Sequence, residues 1–321
     1  MSLTARLTLT GPDSAEDPED YLAASLGVIF PDDVTNQHGD SEHGLLYTSP
    51  HLPKPIPISL ADPVKGEDRE LFSHYLWNSS LLLAELIEAG TLGLSSSSPP
   101  AGGGDGGDGG GEQLAPPPAT FDVRGLETVE LGAGTALPSL MGALLGARRV
   151  VVTDYPAEPV LKTLRENVGR VTGQAAAEYS PLGAAAREVE VRVEGHGWGE
   201  LAGGGEAASF AADSRARFDR VMAADCLWMP WQHENLRRSI GWFLKEDAEA
   251  RAWVVAGFHT GREKMRGFFE AEGLRKEGLE VERIWERDCD GRDRSWAWDR
   301  GVEDVSGRKR WLAIAVLRRV R

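Results

Sequence analysis

Cysteine is nearly absent from this chain: Cys226 and Cys289 are its only thiols. Two cysteines cannot build a disulfide framework, and their separation lacks the paired spacing of a zinc site. A reducing compartment, the cytoplasm, is the expectation, with no structural metal. Long apolar runs are missing as well. No stretch approaches the roughly 20 residues a bilayer-spanning helix requires, so no membrane partner is expected. Basic charge is in deficit, with 35 Lys and Arg against 50 Asp and Glu, leaving a net charge of −15. Such a surface repels phosphate backbones and anionic lipid at long range, which argues against nucleic acid. A basic protein tail, an amine or a neutral small molecule meets no such barrier. The first twenty residues carry a single basic side chain, Arg6, ahead of a Pro/Asp/Glu-rich stretch. That is the pattern of neither a secretory signal nor a transit peptide.

What is present is ample apolar material, 41% of 321 residues, for a buried core. Four parts are expected: an N-terminal segment, 1–44, partly disordered; a helical extension, 45–94; a low-complexity insertion, 95–118; and a core, 119–321. The insertion, rich in Ser, Gly and Pro, buries too little apolar area to offset the entropy of ordering. Its glycines do not read as a phosphate loop, because no Lys-Ser/Thr follows and no strand precedes them. Leu71, Phe72, Tyr75, Leu76, Leu82, Leu83, Leu86 and Ile87 recur at helical spacing, predicting an amphipathic helix up to Gly90. From residue 128 onward the pattern alternates strand and helix. Seven short strands are predicted, at 128–131, 150–153, 189–193, 220–224, 253–257, 281–285 and 312–317. Helices are predicted at 137–145, at 159–168, around Trp231 to Leu244 and around Met265 to Phe269. The stretches 173–187 and 199–216 read as connections. This is the rhythm of an α/β, Rossmann-like sheet with helices on both faces.

The chemistry concentrates at Glu130-Leu131-Gly132-Ala133-Gly134, directly after the first of these strands. Leu137, Leu140, Met141, Leu144 and Leu145 then fall on one helical face, so the glycines stand at the mouth of a helix. A Gly-rich turn there lets a ligand approach the backbone closely. Asp154 ends the next strand, about 20 residues on, where a carboxylate can accept from ribose hydroxyls. Together these features predict an adenosine-containing ligand. The third glycine of a dinucleotide fingerprint is replaced by Leu137, which argues against a nicotinamide-dinucleotide oxidoreductase. Glu130 is expected to repel diphosphate and to attract a cationic cofactor such as S-adenosylmethionine through its ammonium.

The sequence resembles the seven-β-strand S-adenosylmethionine-dependent methyltransferases of the lysine-methyltransferase-like branch, which includes fungal proteins labelled nicotinamide N-methyltransferase-like. The resemblance covers roughly residue 45 to the C-terminus. Its carriers are Leu76-Trp77-Asn78, Val129 to Gly134, Val152 to Pro156, Gly197-Trp198-Gly199 and Ala224 to Trp231. It implies a seven-stranded sheet in the order 3-2-1-4-5-7-6, the last strand antiparallel, with the cofactor at the carboxyl ends of the strands. It further implies that Trp77, Gly132, Ala133, Gly134, Asp154, Trp198 and Ala224 contact S-adenosylmethionine. Asp225 and Trp228 mark the place of the acceptor, with Trp228 standing where many relatives have Tyr.

The expected activity is N-methylation of a protein lysine or N-terminal amine, since related members act on proteins such as translation elongation factor one-alpha. The alternative acceptor is a small molecule, nicotinamide or a similar pyridine. A further alternative is a non-catalytic interaction module. Asp225 as a helix cap and Trp228 as core filling are the structural readings of that pair.

Overall fold

The computed structural model describes residues 2–11, 36–39, 43–61, 75–94, 114–202 and 206–320. Its centre is a single eight-stranded sheet. We number the strands along the chain as β1 (Glu127–Leu131), β2 (Arg149–Asp154), β3 (Glu190–Gly195), β4 (Arg220–Ala224), β5 (Arg251–Gly257), β6 (Leu279–Asp288), β7 (Asp293–Ser295) and β8 (Trp311–Arg319). The order across the sheet is β3-β2-β1-β4-β5-β8-β6-β7. The first five strands are mutually parallel, and β8 runs antiparallel to both β5 and β6.

All seven predicted strands are present, in the order 3-2-1-4-5-7-6. The count differs by one, because β7 pairs antiparallel with β6 at the edge. That strand is three residues long, Asp-Arg-Ser, and carries no apolar alternation that could have announced it.

Side-chain parity divides the core in two. Val150, Val152, Trp253 and Val255 face one layer, whereas Val151, Val221, Val254 and Ala256 face the other. With both faces covered, the strands read as near-continuous apolar runs. On the first face lie α1 (Asn78–Leu92), α2 (Leu137–Leu144) and α3 (Glu158–Val171); on the second, α4 (His233–Phe243) packs through Leu236, Ile240 and Phe243. Helix α1 packs on α2 and β5, so the N-terminal extension shares the core of the sheet.

Three predicted features change. The helix expected from Leu71 starts later: Leu71 and Phe72 lie outside the described residues, and Leu76–Trp77 form a short antiparallel pair with Gln37–His38. Tertiary pairing there overrides the helical spacing. Of the insertion, 95–113 lies outside the described residues, while Pro118 opens a 3-10 turn, Pro118–Phe121, against α1. A Cβ on Gly90 would come within 2.4 Å of the Pro118 carbonyl oxygen, which is why a glycine stands inside that helix. The connections at 173–187 and 199–216 contain short helical pieces, Ala176–Tyr179 and Glu206–Asp213 among them. Ala- and Gly-rich composition gave no periodicity from which to read them.

Candidate active site

Strands β1 and β4 are neighbours, but the chain passes from β1 outward to β2 and β3 before returning to β4. The connections therefore part at the β1/β4 boundary, and a crevice opens beyond the carboxyl ends of the strands. A cavity of about 390 Å3 lies there, within the range usual for small-ligand sites. Trp77, Gly132, Ala133, Gly134, Asp154, Trp198, Ala224, Asp225 and Trp228 all line it. Residues scattered over 150 positions of sequence thus meet at one place.

The turn after β1 explains its own composition. Gly132 (φ +65°), Gly134 (φ +56°) and Ala136 (φ +67°) all adopt left-handed backbone, a conformation costly for side-chain-bearing residues. At Gly132 a Cβ would lie 2.9 Å from Trp198 Cζ2 and 3.0 Å from Cys226 Sγ. Only bare backbone fits between them. The Gly134 N–H donates to Asp154 Oδ2 at 2.7 Å, and the Tyr155 N–H donates to Oδ1 at 2.7 Å. Each oxygen of Asp154 has taken one backbone donor and keeps further lone-pair capacity. Burial raises the Asp154 pKa to about 6, with the two amide bonds opposing the rise.

Glu130 behaves otherwise than expected. Val129 and Leu131 face the α4 layer, so strand parity turns Glu130 to the opposite face, beneath the start of α2. Its Oε2 accepts from the Ser139 N–H at 3.0 Å and from Ser139 Oγ at 2.5 Å. It therefore satisfies an amide of the first turn of α2, one that lacks an intrahelical partner. It is fully buried, does not line the cavity, and is pushed up by burial to about 8. At neutral pH it is mostly an uncharged acid, and the expected attraction to a cationic cofactor is not its role.

Trp198 is held by α4. Ser239 Oγ accepts the Gly199 N–H at 2.8 Å and lies 2.9 Å from His196 Nε2, which pins the loop after β3. Burial pushes His196 down to about 4, so its ring is neutral there. The glycines flanking Trp198 make room for two polar groups that pattern reading did not single out. A Cβ on Gly197 would strike the Glu200 carboxylate, and one on Gly199 would strike the Asn235 carboxamide. Both Glu200 and Asn235 line the cavity, as does Gln232, whose Oε1 accepts from Asn235 Nδ2 at 2.7 Å. The only sequence signal for them was their spacing around the Gly-Trp-Gly run and on the turn into α4.

Asp225 follows β4 with φ +60°, and its N–H donates to the Val255 carbonyl at 2.8 Å. No helix starts on it: the next turn is Pro230–Gln232, with no side-chain cap. The capping reading of Asp225 therefore fails. Its Oδ1 instead accepts from the Gly257 N–H at 3.3 Å and stands 3.9 Å from His259 Nδ1. Burial raises its pKa, with His259 the largest opposing influence. Trp228 is half-buried on the cavity wall, which removes the reading of it as core filling. Cys226, between Asp225 and the glycine turn, is buried, and burial holds its thiol well above the ordinary range, which disfavours the thiolate.

Chemically, the cavity combines an open glycine backbone, aromatic walls and two buried carboxylates from different strands. It offers hydroxyl acceptors and accommodates positive charge. A group with an adenosine moiety and a cationic sulfonium fits this donor set. Among the described residues no cluster could hold a metal ion, and no helix is long and apolar enough to cross a membrane.

No family model matches the chain. It is similar to proteins named Protein N-terminal and lysine N-methyltransferase EFM7. The Gibberella zeae protein is 29% identical over 282 residues, spanning 87% of this chain and 85% of that one. The Eremothecium gossypii protein is 30% identical over 216 residues, spanning 65% of this chain and 66% of that one. Among solved structures, a putative sam-dependent methyltransferase from Streptococcus mutans aligns over 93% of this chain and 65% of its own, at 10% identity and a TM-score of 0.49. The strand order, the cavity at the β1/β4 boundary and the similarity to proteins named as methyltransferases agree with an enzyme that transfers a methyl group from S-adenosylmethionine.

Proposed function

We propose that this chain is a methyltransferase of the seven-β-strand kind and methylates an amine of a protein, a lysine side chain or an N-terminal α-amine, in the cytoplasm. The observation that carries the reading is the placement of two buried carboxylates, Asp154 and Asp225, at the ends of β2 and β4, on either side of the Gly132 turn in one cavity. On this reading Asp154 holds the ribose hydroxyls. Gly132, Ala133, Gly134 and Ala224 let the cofactor lie against backbone, and Trp77 and Trp198 supply apolar walls, Trp198 as a flat face for the adenine. When bound, S-adenosylmethionine supplies an electrophilic methyl group on sulfur.

The acceptor must bring a lone pair. A lysine amine is only about one part in two thousand neutral at pH 7, so the site must favour its neutral form. Asp225 attracts and orients the arriving ammonium, and Trp228 shields it from water. An anion alone would raise the amine's pKa, so desolvation against Trp228 has to lower it. Similarity to proteins named as N-terminal and lysine methyltransferases supports a protein acceptor. The net charge of −15 suits a basic one, and translation elongation factor one-alpha is the candidate.

The test is incorporation of labelled methyl groups from S-adenosylmethionine into a cell lysate, with protein and small-molecule fractions counted separately. Label in protein supports the reading. Label confined to nicotinamide or another small molecule rejects it.

A further inference from the structure

His259 stands in the 3-10 turn Phe258–Thr260 that follows β5, beside the end of β4. Its Nδ1 faces Asp225 Oδ1 at 3.9 Å, and its ring stacks on Trp77 with centroids 4.8 Å apart and planes 24° off parallel. Trp77 and Asp225 both line the cavity, whereas His259 touches both without lining it. Gly257 leaves room for this arrangement, since a Cβ there would come 3.0 Å from His259 Nδ1. The two side chains differ in access to water: that of Asp225 is 8% exposed and that of His259 is 17% exposed. Charged groups on the elements packed against this turn include Arg262, Arg308 and Lys309. Arg262 is paired with Glu286 and Glu303, and Arg308 Nη1 lies 3.8 Å from the position a Cβ would take on Gly261.

We infer that His259 is a proton relay, carrying to solvent the proton that the acceptor ammonium gives up at Asp225. This rests on the amine reading above. The ammonium N–H bond breaks and its proton passes to the Asp225 carboxylate. The freed nitrogen lone pair forms the new bond to the methyl carbon as the carbon–sulfur bond breaks and its electrons return to sulfur. Protonated Asp225 hands the proton to the free imidazole nitrogen of His259, giving a carboxylate–imidazolium pair, and the imidazolium releases it to water or buffer. One proton leaves for each methyl group transferred. A separation of 3.9 Å is an ion-pair distance and too long for a hydrogen bond, so the pair closes by about 1 Å when the proton passes. Catalytic contacts commonly tighten in this way once the site is filled. Asp225 touches the acceptor; His259 acts only through it, and by stacking fixes the Trp77 wall.

Two variants separate the proton from the packing. His259→Phe keeps a flat ring against Trp77 and deletes both nitrogens, whereas His259→Gln keeps polar reach without the imidazole. S-adenosylmethionine affinity is measured by calorimetry. Single-turnover methylation of purified, unmethylated translation elongation factor one-alpha is measured at saturating cofactor, with rising imidazole in the buffer. His259→Phe, which keeps the stack on Trp77, should bind the cofactor as the wild type does, and both variants should lose roughly tenfold to a hundredfold in rate at saturating cofactor. Imidazole should restore much of the loss while leaving the wild type unaffected. Unchanged rates, a loss that follows weakened cofactor binding, or a loss indifferent to imidazole would each overturn the relay. A wild type that binds the cofactor and labels no protein overturns the amine reading itself, and the relay with it.

Discussion

The Gly134 amide donates to the Asp154 carboxylate at 2.7 Å, tying the turn after β1 to the end of β2. One carboxylate thus shapes the glycine turn and faces the cavity that the turn borders. Removing it should weaken cofactor binding and loosen the turn together.

Asp154→Ala should therefore cost about 1–3 kcal/mol of S-adenosylmethionine affinity, the scale for losing a charged acceptor in a partly buried site. The wild type should also bind more weakly as pH falls below about 6, where the empty site's Asp154 becomes protonated and must shed that proton to receive hydroxyl donors fully charged. Calorimetry against pH checks both. Asp154→Asn should show no such dependence.

The two glycines of the turn should not be equivalent. Gly134→Ala meets nothing within 4 Å and carries only the left-handed backbone strain, roughly 1–2 kcal/mol. Gly132→Ala carries the same strain and also drives a methyl group into Trp198 and Cys226. Thermal denaturation and cofactor titration of the pair should find Gly132→Ala worse in both, with its affinity loss the larger share.

Glu130 should make the protein less stable as pH rises. Its carboxyl ionises near 4.5 in the unfolded chain and near 8 in the folded one. Between these values the folded state binds the extra proton, so stability is full below the lower value and is lost progressively up to the higher one. Glu130→Gln has no proton to lose. Its melting temperature should match the wild type near pH 5 and exceed it near pH 9, a difference on the order of several kcal/mol in stability. Equal pH slopes in the two proteins would remove Glu130 as the source.

On the proposed reading, in which Asp225 meets the acceptor, Asp225→Asn should cut the methylation rate while sparing S-adenosylmethionine affinity. Asn tolerates the left-handed backbone at φ +60° as readily as Asp, so the fold should hold. Burial raises the Asp225 pKa, and a protonated acid cannot take the ammonium's proton. The wild-type rate should accordingly fall as pH drops through that raised value, and the Asn variant should lose that limb. Trp228→Ala should raise the acceptor KM through lost apolar contact and cation–π attraction. Steady-state kinetics over pH in the three proteins separates these effects.

Much of this was legible before any coordinates. The strand-to-helix rhythm from residue 128 and the glycine turn are local signals, since apolar periodicity and left-handed backbone are written in neighbouring residues. So is the spacing to Asp154. Helix α2 therefore falls within one residue of its predicted bounds. The resemblance then supplied the strand order and linked Trp77, Trp198 and Ala224 to the same site.

What sequence could not determine was direction and company. Whether Glu130 points into the cavity or beneath α2 depends on which face of β1 the helix covers, a matter of strand parity and tertiary packing. Leu76–Trp77 became a strand because Gln37–His38 lies alongside, a pairing across about 40 positions with no local mark. The His259 contact with Asp225 joins residues 34 apart on the ends of adjacent parallel strands, and no motif spans that gap. The sequence by itself determined seven strands of the sheet and the glycine turn, because those interactions are short-range. Only the tertiary structure decided which acids are charged, which face the cavity and which histidine stands beside Asp225, because burial and through-space distance arise when the sheet assembles.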